Sequence, residues 1–156
     1  MVDPQSVEAT VDPRAACVQL NRLIVVCRDD ARSLATSALA VGDPTARKRL
    51  LEQARGRRTF VDTLTSEVLT LGGLGVRRGS VHAVLAAGLR NARVAVAGPH
   101  EGDAYALCMR TARRTERSYA RAALGKLPER SRRLVEAQAR EVAESCVELT
   151  RIRDQH

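Results

Sequence analysis

Apolar residues recur along this chain in alternating steps of three and four. Cys17, Leu20, Ile24, Cys27, Ala31, Leu34, Ala38 and Val41 keep that spacing without a break, the stripe that one face of an α-helix presents. A second stripe runs through Leu50, Ala54, Val61, Leu64, Val68 and Leu71, with Arg57 in one of its slots. Leu107, Cys108, Thr115, Tyr119 and Ala122 form a third, and Val135, Ala139, Val142, Cys146, Leu149 and Ile152 a fourth. A shorter one comprises Val81, Val84, Leu85, Leu89, Ala92 and Val96.

Start and stop signals frame these stripes. Asp12-Pro13 and Asp43-Pro44 each read as a capping carboxylate followed by proline at the first helical position. Ser80 and Asp103 supply further caps, Pro128 opens the last segment, and Gly42, Gly72, Gly98 and Gly125 stand where a left-handed residue closes a helix. The pattern predicts helices over 13–41, 44–71, 80–97, 103–124 and 128–153. Residues 1–11 read as a disordered leader and 12–156 as the folded domain. Two tight hairpins then flank one long connection, and a helix of about 18 residues within it reaches roughly 27 Å at 1.5 Å per residue. The expected fold is all-α, a ferritin-like four-helix bundle with a long crossover containing a short fifth helix.

Composition narrows the setting. A length of 156 residues with 44% apolar content suits one domain. Arg28, Asp29, Asp30 and Arg32 interrupt the most apolar stretch before it reaches the roughly 20 residues a membrane span needs. Acidic residues stand where a secretory signal would be basic, so a cytoplasmic location is expected. Cys17, Cys27, Cys108 and Cys146 form no C-x-x-C pair and read as reduced, buried thiols. Net charge is +8, and only Lys48 and Lys126 among the 26 basic residues are lysine, so contact with polyanions enters the picture.

Several short elements, in order, resemble a bacterial family of ferritin-like four-helix-bundle proteins classed as a domain of unknown function. They are Leu20-Asn21 with Leu23-Ile24 and Asp29, Phe60 with Leu64, Glu67, Val68 and Leu71-Gly72-Gly73, Gly79-Ser80-Val81, and Cys108 with Tyr119. The resemblance runs from Leu20 to Asp154 and implies a fold without an activity. The chain departs from that family in Asp30-Ala31-Arg32-Ser33 and in Met109-Arg110-Thr111-Ala112-Arg113, where relatives are more acidic or glycine-rich.

The candidate chemistry is sparse. Ferritin-like oxidases need a Glu-x-x-His on each of two helices, and none occurs; His82, His100 and His156 are the only histidines. No phosphate loop, nucleophile elbow or zinc-protease motif is present either, so no cofactor and no enzymatic activity are expected. Arg57 on an apolar stripe calls for a partner. Folding the first hairpin about Gly42-Asp43 sets Asp29 opposite it, with an anion site lined by Arg28, Arg57 and Arg58 as the alternative. Arg110, Arg113, Arg114, Arg117 and Arg121 share one helical face and form a candidate polyanion surface, without aromatic platforms for stacking single strands. Folding the last hairpin about 125–127 places Cys108 and Cys146 in one layer as a candidate thiol pair. The leading expectation is a structural or interaction module with a protein partner or a second copy. The others are an arginine-mediated binder of polyanions or nucleic acid, and a thiol-based redox-responsive protein.

Overall fold

The computed structural model describes residues 11–75 and 100–155. They form α1 (Pro13–Ala40), α2 (Pro44–Thr70), α3 (Glu101–Ala123) and α4 (Glu129–Asp154), with no strand among the described residues. The expected short helix over 80–97 and nearly all of the leader over 1–11 lie outside the described residues.

The helix starts follow from local chemistry. Asp12 accepts from the Arg14 N–H at 2.9 Å and Asp43 from the Ala46 N–H at 2.7 Å, each satisfying a donor that the first turn leaves without an intrahelical partner. Two starts differ from expectation. His100 rather than Asp103 occupies the cap position of α3, and Asp103 joins Glu101 inside the first turn, where carboxylates complement the helix dipole. Pro128 is the cap residue of α4 rather than its first helical residue.

The ends are closed in two ways. After α2, Gly72 has φ +76°, Gly72 N–H bonds Leu69 O, and Gly73 N–H bonds Val68 O at 2.9 Å. These bonds make a complete Schellman closure. Gly42 and Gly125 were expected to act likewise, but Gly72 is the only positive-φ glycine among the described residues. At the end of α1 the chain instead extends through buried Val41, whose carbonyl accepts two bonds from the Arg47 guanidinium at 3.3 and 2.9 Å.

All neighbouring helices run antiparallel. Ser37 donates to the Ala104 carbonyl at 3.0 Å while Cys27 meets Tyr119, so α3 descends beside α1. Between α2 and α4, Arg49 meets Glu148, Thr63 meets Gln138 and Glu67 meets Ser131, again antiparallel. It follows that α2 and α3 point the same way across the diagonal of an all-α four-helix bundle. The connection between them starts where Gly73 sits against Cys17 and finishes where Glu101 reaches Gly42, at opposite ends of the bundle. Of the four neighbouring pairs, α2 and α4 are the most loosely packed.

The glycine within α2 and the glycine that closes it give opposite expectations. Gly72→Ala forces a Cβ into the left-handed region and should lower the unfolding free energy by about 1–2 kcal/mol. Gly56→Ala, in mid-helix with nothing within 4 Å of the new Cβ, should raise it by about 0.5–1 kcal/mol. Urea unfolding of the two variants checks both signs.

Candidate functional site

A polar layer crosses the middle of the apolar core. Arg57 and Asp30 are 2% and 0% exposed, and Arg57 Nε donates to Asp30 Oδ2 at 2.8 Å. Asp29 is therefore not the partner of Arg57. It lies half-buried toward α3, where Arg114 reaches it at 3.6 Å. One residue along an α-helix turns the side chain by 100°, and that step separates the inward carboxylate from the outward one. Nor do Arg28, Arg57 and Arg58 form one anion site, since Arg57 is buried in its ion pair and Arg58 is exposed.

Aromatic and thiol groups surround the pair. The Arg57 guanidinium lies 5.3 Å from the Phe60 ring centroid, a cation–π arrangement, and Phe60 meets Tyr119 edge to face at 6.3 Å. The Tyr119 hydroxyl donates to Gln138 Oε1 at 2.7 Å. Its single proton is thus committed, so the Cys27 thiol at 3.2 Å donates to the tyrosine oxygen. Gln138 passes the chain on to Thr63 Oγ1 at 2.7 Å. Burial pushes Asp30 above the usual carboxylate range, opposed by the charge and hydrogen bond of Arg57 and by the Thr111 hydroxyl. Of these groups Cys27, Arg57, Phe60 and Tyr119 stand out in the sequence. Asp30 was detectable as the residue three after Cys27 and four before Leu34, but Ala31 fills the same stripe and hid it.

The cysteines are all buried and free. Met109 faces Thr150 and Tyr119 faces Gln138, a register that sets Cys146 beside Arg113 and Glu116 and Cys108 beside Ser33 and Ser37 of α1. Cys108 and Cys146 thus lie about one helical turn apart rather than in one layer. The expected register took 125–127 as the tip of the hairpin, whereas Leu127 is 1% exposed and belongs to the core. Burial pushes the thiols of Cys27, Cys108 and Cys146 up to about 11. A thiol held protonated in this way is a poor nucleophile.

The surface carries the other cluster. Arg110, Arg113, Arg114, Arg117 and Arg121 are all exposed on α3, as their spacing predicted. Arg114 engages Asp29, while Arg110, Arg113, Arg117 and Arg121 make no ion pair with a described residue. From Arg110 to Arg121 the row extends about 16 Å along the helix axis. All three aromatic residues are buried elsewhere, so no ring stands among these arginines.

A cleft of about 360 Å³ opens between α2 and α4, lined by Asp62, Thr63, Ser66, Glu67, Arg130 and Leu134. Its buried carboxylate, Glu67, accepts from Ser131 Oγ at 2.7 Å and pairs with Arg130 at 3.1 Å. Among the described residues no group of three or more His, Cys, Asp or Glu is placed to hold a metal ion. No described helix is long and apolar enough to cross a membrane. No family model matches the chain, and no curated protein does.

Two outcomes follow from the interior geometry. Arg57→Leu or Asp30→Leu alone strands the opposite buried charge and should cost about 3–5 kcal/mol, whereas the double replacement should recover most of that loss. Additive losses in denaturant unfolding would show that the two side chains act separately. In the native protein Cys27, Cys108 and Cys146 should resist Ellman's reagent even at pH 9, where a thiol of pKa about 11 is only about one-hundredth ionised. All four cysteines should react after denaturation.

Proposed function

We propose that this chain is a non-catalytic, ferritin-like helical bundle acting as an interaction module, and that its contact surface is the arginine face of α3, which binds the phosphate backbone of nucleic acid. The observation that carries the reading is the exposed row of Arg110, Arg113, Arg117 and Arg121 with no acidic partner among the described residues. Arginine side chains on a straight helix present forked donors that suit phosphate oxygens. A net charge of +8 adds long-range attraction. Recognition is by backbone charge and carries no sequence preference, since base readout needs side chains delivered into a groove and single-strand readout needs stacking rings. The ferritin-like assignment is supported by the parallel diagonal of α2 and α3, whose connection joins opposite ends of the bundle, and by the resemblance of the chain to that family. The interior works against a thiol-based reaction, because all four thiols are buried and burial raises the pKa of Cys27, Cys108 and Cys146.

Titrating a fluorescent duplex with the protein at several salt concentrations tests this. Four phosphate contacts predict a slope of about −3.6 in log affinity against log salt, roughly a hundredfold weakening between 50 and 200 mM. Arg113→Glu with Arg117→Glu should abolish binding while leaving the helical signal intact. Binding that survives this change, or that is insensitive to salt, overturns the proposal.

A further inference from the structure

The Asp30–Arg57 pair is incomplete in one specific way. A guanidinium bonds a carboxylate side-on through Nε and the Nη2 that shares its edge, using both carboxylate oxygens. Here Nε reaches Asp30 Oδ2 at 2.8 Å, yet Arg57 Nη2 and Asp30 Oδ1 are both buried without a hydrogen-bond partner, since the nearby Thr111 hydroxyl donates to the Leu107 and Cys108 carbonyls of its own helix. Ser33 follows Asp30 by three residues, on the same side of α1, and its buried Oγ, beside the Cys108 thiol, makes no hydrogen bond either. A donor and an acceptor thus belong to one ion pair and a hydroxyl able to play either part stands most of a turn along α1, in side chains that are each more than nine-tenths buried.

Buried polar atoms in folded proteins are almost always satisfied, by protein or by ordered water. We infer that this layer is a binding site for an internal water molecule, which accepts from Arg57 Nη2, donates to Asp30 Oδ1 and takes Ser33 Oγ as its third partner. The chemistry of the site selects that occupant. A guanidinium and a carboxylate flank it together, so an added cation meets Arg57 and an added anion meets Asp30, while a neutral molecule that both donates and accepts suits both. Two to four polar partners are what a buried water requires. The Phe60 ring against the guanidinium and the Nε bond to Asp30 hold the open edge in place.

A high-resolution crystal structure of the full chain tests the site directly. The expected result is an ordered water within hydrogen-bond distance of both Arg57 Nη2 and Asp30 Oδ1. A direct Nη2–Oδ1 bond with no solvent density between them overturns the inference. In solution, magnetic relaxation dispersion of the water oxygen should detect a long-lived internal molecule in the wild-type protein, and its amplitude should fall in the Asp30→Leu, Arg57→Leu double variant. An unchanged amplitude in a folded double variant also overturns it. Should that variant fail to fold, the wild-type crystal structure decides alone.

Discussion

One ion pair inside an apolar core sets the terms for the rest of this bundle. Taking a carboxylate and a guanidinium out of water carries a desolvation penalty of several kcal/mol per ion, and their mutual attraction offsets it only when the geometry is good. Asp30 and Arg57 are therefore poor candidates for stabilising the fold and good ones for specifying it. A shift of α1 against α2 by one residue would bury one charge without the other, and a shift by a full turn would oppose each to an apolar side chain. Leucines at both positions would tolerate such slippage. The pair ties the register of the first hairpin to a single arrangement.

The neighbouring groups extend that constraint to the other hairpin. Phe60 and Tyr119 connect the guanidinium to α3, and the Tyr119 hydroxyl links Cys27 of α1 to Gln138 of α4. From there the chain returns to α2 through Thr63. Directional bonds thus visit all four helices at one level, while Leu20, Ile24, Leu34, Leu50 and Leu64 pack by shape in the surrounding core. Apolar packing drives association and tolerates rearrangement. The polar layer removes the alternatives.

The helices were legible because their signals are local: a three-and-four stripe, an aspartate before a proline, a glycine after the last apolar residue. The arginine face was legible for the same reason, since spacing on one helix needs no partner to interpret. Register across a hairpin was not legible, because it depends on how the connecting residues pack. Leu127 looks like part of a turn yet is buried, and that displaces Cys146 from Cys108. Asp29 and Asp30 are adjacent acids whose roles are set by a 100° rotation, and a pairing estimate good to one residue cannot choose between them. Closure of α1 by Arg47 was likewise invisible, since it relies on a side chain reaching back six residues to Val41.

The loosest side of the bundle shows how polar groups substitute for packing. Between α2 and α4 run hydrogen bonds and ion pairs: Arg49 and Gln53 to Glu148, Gln138 to Thr63, and Ser131 and Arg130 to Glu67. Glu67 matters most, because it is a buried carboxylate and must be compensated. Its partners sit in the first turn of α4, a helix whose cap residue, Pro128, makes no side-chain bond to the turn. The N-terminal end of a helix carries a partial positive charge that favours an anion, so Glu67 adds from α2 a buried carboxylate to the exposed one, Glu129, that α4 carries in its own first turn. In return α4 offers Ser131 and Arg130 to a carboxylate that would otherwise be buried alone. That exchange works only when α4 lies beside α2 and runs against it, so the most loosely packed seam still favours this helix in the fourth corner.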